Sequence, residues 1–202
     1  MREKFIPKNV LGILLAGGQS RRMGCDKAEL NFAGTSQLQH AQILLREAGC
    51  NNIHISRNRA DGIADIYKDQ GPLAGLHAVL SRVVYPHNSL ALIIPIDMPL
   101  LQSSHLKTLV QQANMQQRDT YFDDNYLPCV LHIDTHLQTE LEQRLVQNQR
   151  SVKGFLLARR ALILAKPDNE QFMNTNTPAE WQQACHIRQN STSSNRSHYY
   201  GA

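Results

Sequence analysis

Short apolar runs alternate along this chain with longer stretches of helical periodicity, and this alternation limits the possible folds more than any other feature. The runs Val10–Leu15, Asn52–Ser56 and Leu90–Ile96 have the length and composition of buried strands, and helical patterns lie between them. Strands that alternate with helices predict a doubly wound, mostly parallel sheet with helices on both faces. The predicted fold class is therefore α/β.

The remaining elements follow from the same patterns. Shorter strands are predicted at Ile63–Ile66, Tyr121–Phe122, Leu127–Ile133 and Ala161–Leu164. Helices are predicted from Ser36 to about Ala48, at Leu73–Val84, from Ser103 or Ser104 to about Gln116, at Thr135–Gln147, at Val152–Ala158 and from Pro178 onward. The serines, and Thr177 before Pro178, are the expected caps.

The domain boundary is predicted from composition. A chain of 202 residues suits one core, so we expect residues 1–187 to form a single domain. The stretch RQNSTSSNRSHYYGA, which begins at Arg188, is polar, rich in Ser and Asn, and without periodicity. This composition predicts a disordered tail over residues 188–202.

Charge and composition exclude several classes of function. No apolar run approaches the roughly 20 residues of a membrane span, and the N-terminal run lacks a cleavage pattern, so we expect a cytoplasmic protein without a membrane partner. A net charge of +4 without a run of basic residues, and only 6% aromatic residues, argue against nucleic acid. The four cysteines are scattered, with no Cys-x-x-Cys pair of the kind that holds zinc.

The loop after the first predicted strand, LLAGGQSRRMGCDKAEL at residues 14–30, combines glycines with positive charge. Glycines let backbone amides point inward and form a concave anion site. The spacing matches neither the dinucleotide fingerprint nor the Walker motif. It does place Arg21, Arg22 and Lys27 in one short loop beside a buried strand, which predicts a polyphosphate ligand.

Asp97 directly follows Leu90–Ile96, the most apolar predicted strand. Ligands of doubly wound sheets bind outside the carboxyl ends of the strands, where both Asp97 and the glycine loop fall. Mg²⁺ takes oxygen ligands, commonly one or two carboxylates together with substrate phosphates. We therefore expect Asp97 to be the metal ligand.

These features resemble a known family. The glycine loop and four later stretches, DIYKDQGPLAGL, IIPIDMPLL, RSVKGFL and MNTNTPAEW, are similar in order and content to the molybdenum cofactor guanylyltransferases, which have a Rossmann-like nucleotidyltransferase fold. The resemblance covers about residues 10–185. It implies transfer of GMP from GTP to the phosphate of molybdopterin, with release of pyrophosphate and with Mg²⁺ as cofactor.

The resemblance also implies roles for particular residues. Lys27, Asp97 and Arg22 would be catalytic, Arg22 being favoured over Arg21 by the family pattern. Asn174 and Asn176 would contact the second substrate. The residues that would bind GTP are Leu15, Ala16, Gly17, Lys27, Ser56, Asp65, Gly71, Gly75 and Asp97.

The chain departs from the family pattern at two positions. Ser56 stands where relatives often carry Asn, in a pattern like Asn-x-Asn-Arg, and Leu127 precedes Pro128 where relatives tend to carry Gln or His. The first departure bears on a nucleotide contact, and the second bears on the acceptor pocket.

Three interpretations remain open. One is guanylyl transfer to molybdopterin, with partner proteins that deliver molybdopterin or accept the product. Another is a related nucleotidyltransferase that uses CTP or a sugar-phosphate or alditol-phosphate acceptor. The third is a nucleotide-binding protein without catalysis.

Overall fold

A computed structural model describes the chain over residues 9–17, 26–32, 34–86, 88–167 and 169–197, with side chains described up to residue 190. The strands are β1 (Val10–Leu15), β2 (Asn31–Phe32), β3 (Thr35–Ser36), β4 (Asn52–Ser56), β5 (Leu90–Pro95), β6 (Thr120–Phe122), β7 (Asn125–His132) and β8 (Leu162–Leu164). The α-helices are α1 (Gln37–Glu47), α2 (Pro72–Leu80), α3 (Ser103–Gln116), α4 (Leu137–Val146), α5 (Val152–Ala158) and α6 (Pro178–Ser197).

Six of these strands form one sheet in the order β4-β1-β5-β7-β6-β8, while β2 and β3 make a separate small hairpin. The strands β4, β1 and β5 run parallel to one another, β6 pairs parallel with β8, and β7 runs antiparallel to both of its neighbours. The prediction of a mostly parallel sheet is confirmed. The β2–β3 hairpin was not predicted.

The sheet is buried by helices on both faces. In β1 the side chain of Leu14 belongs to the core cluster that includes residues of α1 and α3, whereas that of Ile13 belongs to the cluster that includes residues of α2, α4 and α5. Both side chains are fully buried, and burial of each contributes about 1.5–3 kcal/mol to folding. The doubly wound arrangement is thus confirmed, and it leaves the two ends of the sheet as the places where polar groups can gather.

Three predicted helix caps can be compared with the structure, and Thr177 caps α6 as predicted, since its hydroxyl accepts from the Glu180 N–H at 3.3 Å. Ser36 caps α1 as predicted, since its hydroxyl accepts from the Gln39 N–H while the Gln39 side chain accepts from the Ser36 N–H. The prediction that Ser103 or Ser104 caps α3 is wrong, because Gln102 occupies the cap position without a side-chain hydrogen bond.

Two other elements differ from the predictions. The expected strand at residues 63–66 is reduced to a single bridge between Ile63 and Ser56. Helix α6 continues to Ser197, so the expected tail is helical from residue 188 to 197, and the rest of it lies outside the described residues. Residues 188–197 contain neither Gly nor Pro, so no residue in them breaks the helix that Pro178 begins.

No helix in the described part of the chain has the length and apolar character to cross a membrane.

Candidate nucleotide site

The ends of β1, β4 and β5 lie side by side at one edge of the sheet. Leu15 pairs with Ser56 on one side and with Pro95 on the other. Backbone bonds continue beyond the strands: the Ala16 N–H donates to the Ser56 carbonyl (2.9 Å), and the Ile96 N–H donates to the Leu15 carbonyl (3.0 Å). The three loops that follow these strands therefore start at neighbouring points, as in the ligand crevices of this fold class.

Lys27 reaches this edge from a single turn of 3₁₀ helix, Lys27–Glu29, which Asp26 caps by accepting from the Ala28 N–H. The Lys27 ammonium donates to Asn176 Oδ1 at 2.8 Å and lies 3.9 Å from Asp97 Oδ2. The Lys27 and Asp97 side chains are 13% and 26% exposed, so solvent screens the pair only in part. Three residues assigned by the sequence to phosphate, metal and acceptor are therefore in one cluster.

The two charges in this cluster are incompletely compensated. Burial raises the pKa of Asp97, and the nearby Lys27 ammonium opposes that rise without cancelling it. Burial lowers the pKa of Lys27, against the opposing effect of Asp97 and Glu180. Each group is therefore harder to ionise than it would be in water. A metal cation beside Asp97 and phosphate oxygens beside Lys27 would supply the missing counter-charges.

Thr175, which the sequence analysis missed, fixes the loop between Asn174 and Asn176. Its N–H and its hydroxyl both donate to the Asp97 carbonyl, at 2.8 and 3.2 Å, and it is fully buried. Asn176 is tied from the other side, since its N–H donates to Glu180 in the first turn of α6. Asn174 is exposed beside them. The repeated Asn-Thr in MNTNTP was the available sequence signal.

A second cluster of residues at this edge is centred on Ser56. This cluster and the cluster around Lys27 and Asp97 are the two halves of the site. The carbonyl of Ser56 accepts from Ala16, its buried hydroxyl lies 3.5 Å from Asp65 Oδ1, and it faces Gly75 of α2. A Cβ placed on Gly75 would lie 2.3 Å from the Ser56 hydroxyl, so this close approach requires glycine. A Cβ on Gly17 would lie 3.6 Å from the Ser56 carbonyl, which is an ordinary contact.

The residues predicted to bind the nucleotide lie at the ends of β1 and β4 and at the start of α2, which contact one another through Ser56. Gly71 has a φ of 70° and ends the loop at the start of α2, a backbone that favours glycine. Ser56 itself is 1% exposed and directed at Asp65, so a direct contact between its hydroxyl and a nucleotide is not what this arrangement favours. The Ala16 N–H is also used within the protein.

Asp65 is held by Asn58, which the sequence analysis did not assign to the site. Asn58 donates to Asp65 Oδ2 at 3.2 Å and accepts from the Asp65 N–H at 2.8 Å. Burial raises the pKa of Asp65, while the hydrogen bonds from Asn58 and Ser56 oppose this rise. The similarity of Ser56-Arg57-Asn58-Arg59 to Asn-x-Asn-Arg was the signal for its role.

Arg57 links the two halves of the site. It is 3% exposed, and its guanidinium contacts Asp26, Asp61 (2.5 Å) and Glu29 (3.3 Å). Asp26 and Glu29 flank Lys27 on the 3₁₀ turn, so Arg57 fixes the element that carries this lysine against the end of β4. Sequence reasoning did not find this role, because it depends on the fold bringing residues 26–29 to Arg57.

Two further positions singled out by the sequence are Arg22 and Leu127. Arg22 lies outside the described residues, so its role stays a prediction. Leu127 lines a small apolar cavity, whose other walls include Leu15, Pro72, Val152 and Phe155, and therefore makes this part of the edge apolar.

The metal site must be judged from its donors. Within residues 9–17, 26–32, 34–86, 88–167 and 169–197, no three His, Cys, Asp or Glu side chains are grouped to hold a metal. Asp97 nevertheless fits Mg²⁺, because this ion commonly takes one or two carboxylates and completes its shell with water and substrate phosphates. The site would therefore be formed jointly with a bound triphosphate.

Comparison with known proteins identifies the family to which this chain is similar. The family model of the MobA-like NTP transferase domain matches residues 12–163. A molybdenum cofactor guanylyltransferase of Xanthomonas euvesicatoria pv. vesicatoria is 35% identical over 182 residues, covering 87% of this chain and 94% of that protein.

Solved structures show the same fold. Molybdopterin-guanine dinucleotide biosynthesis protein A from Archaeoglobus fulgidus superposes with a TM-score of 0.66 at 22% identity, covering 89% of this chain and 99% of that one. A Mycobacterium tuberculosis H37Rv protein solved in complex with manganese gives 0.62 at 16% identity, covering 90% of this chain and all of that one.

Proposed function

The chain belongs to the family of MobA-like NTP transferases, and from this membership we propose that it transfers GMP from GTP to the phosphate of molybdopterin and releases pyrophosphate. The observation that carries the proposal is the meeting of Lys27, Asp97 and Asn176 at the strand ends that also hold Ser56 and Asp65. The cluster around Lys27 and Asp97 suits phosphates and a metal, and the cluster around Ser56 and Asp65 suits a nucleoside.

The reaction needs positioning and charge stabilisation more than covalent participation by the protein. A phosphate oxygen of molybdopterin attacks the α-phosphorus of GTP, and the bond from that phosphorus to the oxygen bridging it to the β-phosphate breaks. Lys27 neutralises charge on the phosphates, and Arg22 is proposed to assist it. Asn174 and Asn176 are proposed to orient the acceptor.

We propose Mg²⁺ as the cofactor, held by Asp97. When bound, it would supply a Lewis acid that neutralises the triphosphate. Asp97 suits this role because its carboxylate is half-buried and its loop is fixed by Thr175. A protein of the same fold was solved in complex with manganese, which is compatible with a divalent cation as a ligand of this fold.

The wider setting is also a proposal. We infer that the enzyme works in the cytoplasm, where GTP is available, and that partner proteins deliver molybdopterin and accept the dinucleotide product. Residues 1–187 are proposed to form a single nucleotidyltransferase domain, consistent with the family match to residues 12–163.

The test is release of pyrophosphate in the presence of Mg²⁺ and molybdopterin with GTP, ATP, CTP or UTP in turn. GTP should give the fastest release, and release should require molybdopterin. Faster release with CTP would move the enzyme to a cytidylyl-transferring relative. Nucleotide binding without release from any triphosphate would favour a binding protein without catalysis.

A further inference from the structure

Asp65 is the carboxylate of the nucleoside half of the site, and both of its oxygens have a protein donor. Asn58 donates to Oδ2 and accepts from the Asp65 backbone N–H, while the Ser56 hydroxyl approaches Oδ1. The paired bonds from Asn58 fix both the position and the rotation of the Asp65 side chain. A carboxylate has about four lone-pair sites, so these bonds leave Asp65 able to accept from a ligand.

The residues on the other side of Ser56 set how close α2 approaches. Ser56 contacts Gly75 as well as Asp65, because a Cβ at Gly75 would lie 2.3 Å from its hydroxyl. Asp65 is therefore held close to the start of α2 and to the end of β1. A nucleoside bound along this edge would meet the carboxylate through its N–H and O–H groups.

We propose that Asn58 is a positioning residue for the nucleoside, acting through Asp65, and that Ser56 serves the same carboxylate rather than contacting the nucleotide itself. The proposal rests on the proposed function for the identity of the ligand. Asn58 is exposed and stands outside the catalytic cluster around Lys27. Its replacement should therefore change nucleotide affinity without changing the chemical step.

The test is a double-mutant cycle with wild type, Asn58→Ala, Asp65→Ala and the double variant. Since hydrogen bonds to charged groups contribute about 1.5–3 kcal/mol, Asn58→Ala should raise the KM for GTP by roughly tenfold to a hundredfold with kcat little changed. Adding Asn58→Ala to Asp65→Ala should cost nothing more, because the group that Asn58 positions is already absent. Asn51→Ala removes an equally exposed asparagine at the opposite end of β4 and serves as the control.

The pH dependence of GTP binding distinguishes a positioning role of Asn58 from a loss of packing, because a loss of packing alone would not shift it. Burial raises the pKa of Asp65, the hydrogen bonds from Asn58 and Ser56 oppose this rise, and nearby Asp69 raises the pKa while Arg82 lowers it. Without Asn58 the carboxyl should become protonated at higher pH. GTP binding by Asn58→Ala should therefore fail at a higher pH than binding by wild type as the solution is acidified.

Two results would overturn the proposal: an unchanged KM and acid limb in Asn58→Ala, or additive losses in the double variant. Failure of the proposed function would look different. The wild type would then prefer another triphosphate, and the same cycle measured with that triphosphate would still decide the role of Asn58.

Discussion

At the scale of single residues, the site is defined by two charges that the protein alone does not balance. The Lys27 ammonium and the Asp97 carboxylate are 3.9 Å apart, yet burial shifts the pKa of each toward its neutral form. Binding of a magnesium–triphosphate complex would stabilise both charged forms. This is the physical reason for expecting activity to depend on both side chains.

Replacement of Lys27 tests the phosphate half of this pair. Lys27→Ala should lower kcat by about 10²–10³, the loss expected when one preorganised donor to developing charge is removed. Thermal stability should change little, because the charged form of Lys27 is disfavoured by burial in the unliganded protein. Lys107→Ala, which removes an exposed lysine from α3, should keep normal turnover. Normal turnover in a folded Lys27→Ala protein would contradict the assignment.

Replacement of Asp97 separates stability from activity. The pKa of Asp97 is raised in the folded protein above the ordinary 3.8. The folded state therefore loses stability relative to the unfolded state as the pH rises from the unfolded pKa to the folded pKa. Asp97→Asn has no such titration, and it should therefore be at least as stable as wild type at neutral pH, with the advantage disappearing below about pH 4. Urea denaturation across pH 3–8 measures this. Transfer activity should nevertheless fall by at least about 10². A less stable variant with normal activity would contradict both roles.

Among the helices, replacement of glycine by alanine should have opposite effects on stability at Gly75 in α2 and at Gly154 in α5. Gly75→Ala places a methyl group 2.3 Å from the Ser56 hydroxyl, so it should destabilise the protein by about 1–3 kcal/mol and weaken nucleotide binding. Gly154→Ala in α5 meets only Ser151 at 3.6 Å and should stabilise by up to about 1 kcal/mol. Chemical denaturation of the two variants checks both signs. Equal effects would mean that the approach of α2 to Ser56 is not as tight as described.

Elements also show what sequence can predict. The parallel strands β1, β4 and β5 and their common edge were predictable, because apolar runs in alternation with helices predict parallel strands whose carboxyl ends share an edge. The roles of Arg57, Asn58 and Thr175 were not, because each depends on partners that only the fold brings close. The cap of α3 was also missed, because the helix begins directly after Gln102, which makes no side-chain cap bond.

At the scale of the whole molecule, nucleotide binding should stabilise the fold. Ligand that binds only the folded state contributes RT ln(1 + [L]/Kd), or about 2.7 kcal/mol at a hundredfold excess over Kd. With Mg²⁺ present, GTP should raise the melting temperature more than ATP, CTP or UTP at equal concentration. Asp97→Asn should lose most of the magnesium dependence of this shift. A larger shift with CTP would contradict guanine selection.

Transfer of the α-phosphorus of GTP to molybdopterin can be followed with isotopically labelled GTP. The enzyme is incubated with Mg²⁺, molybdopterin and GTP labelled at either the α- or the γ-phosphorus, and the products are separated and identified by mass. The account predicts that α-label appears in a guanine dinucleotide of molybdopterin and that γ-label appears in pyrophosphate. Release of γ-label as inorganic phosphate, with no α-label on molybdopterin, would contradict it.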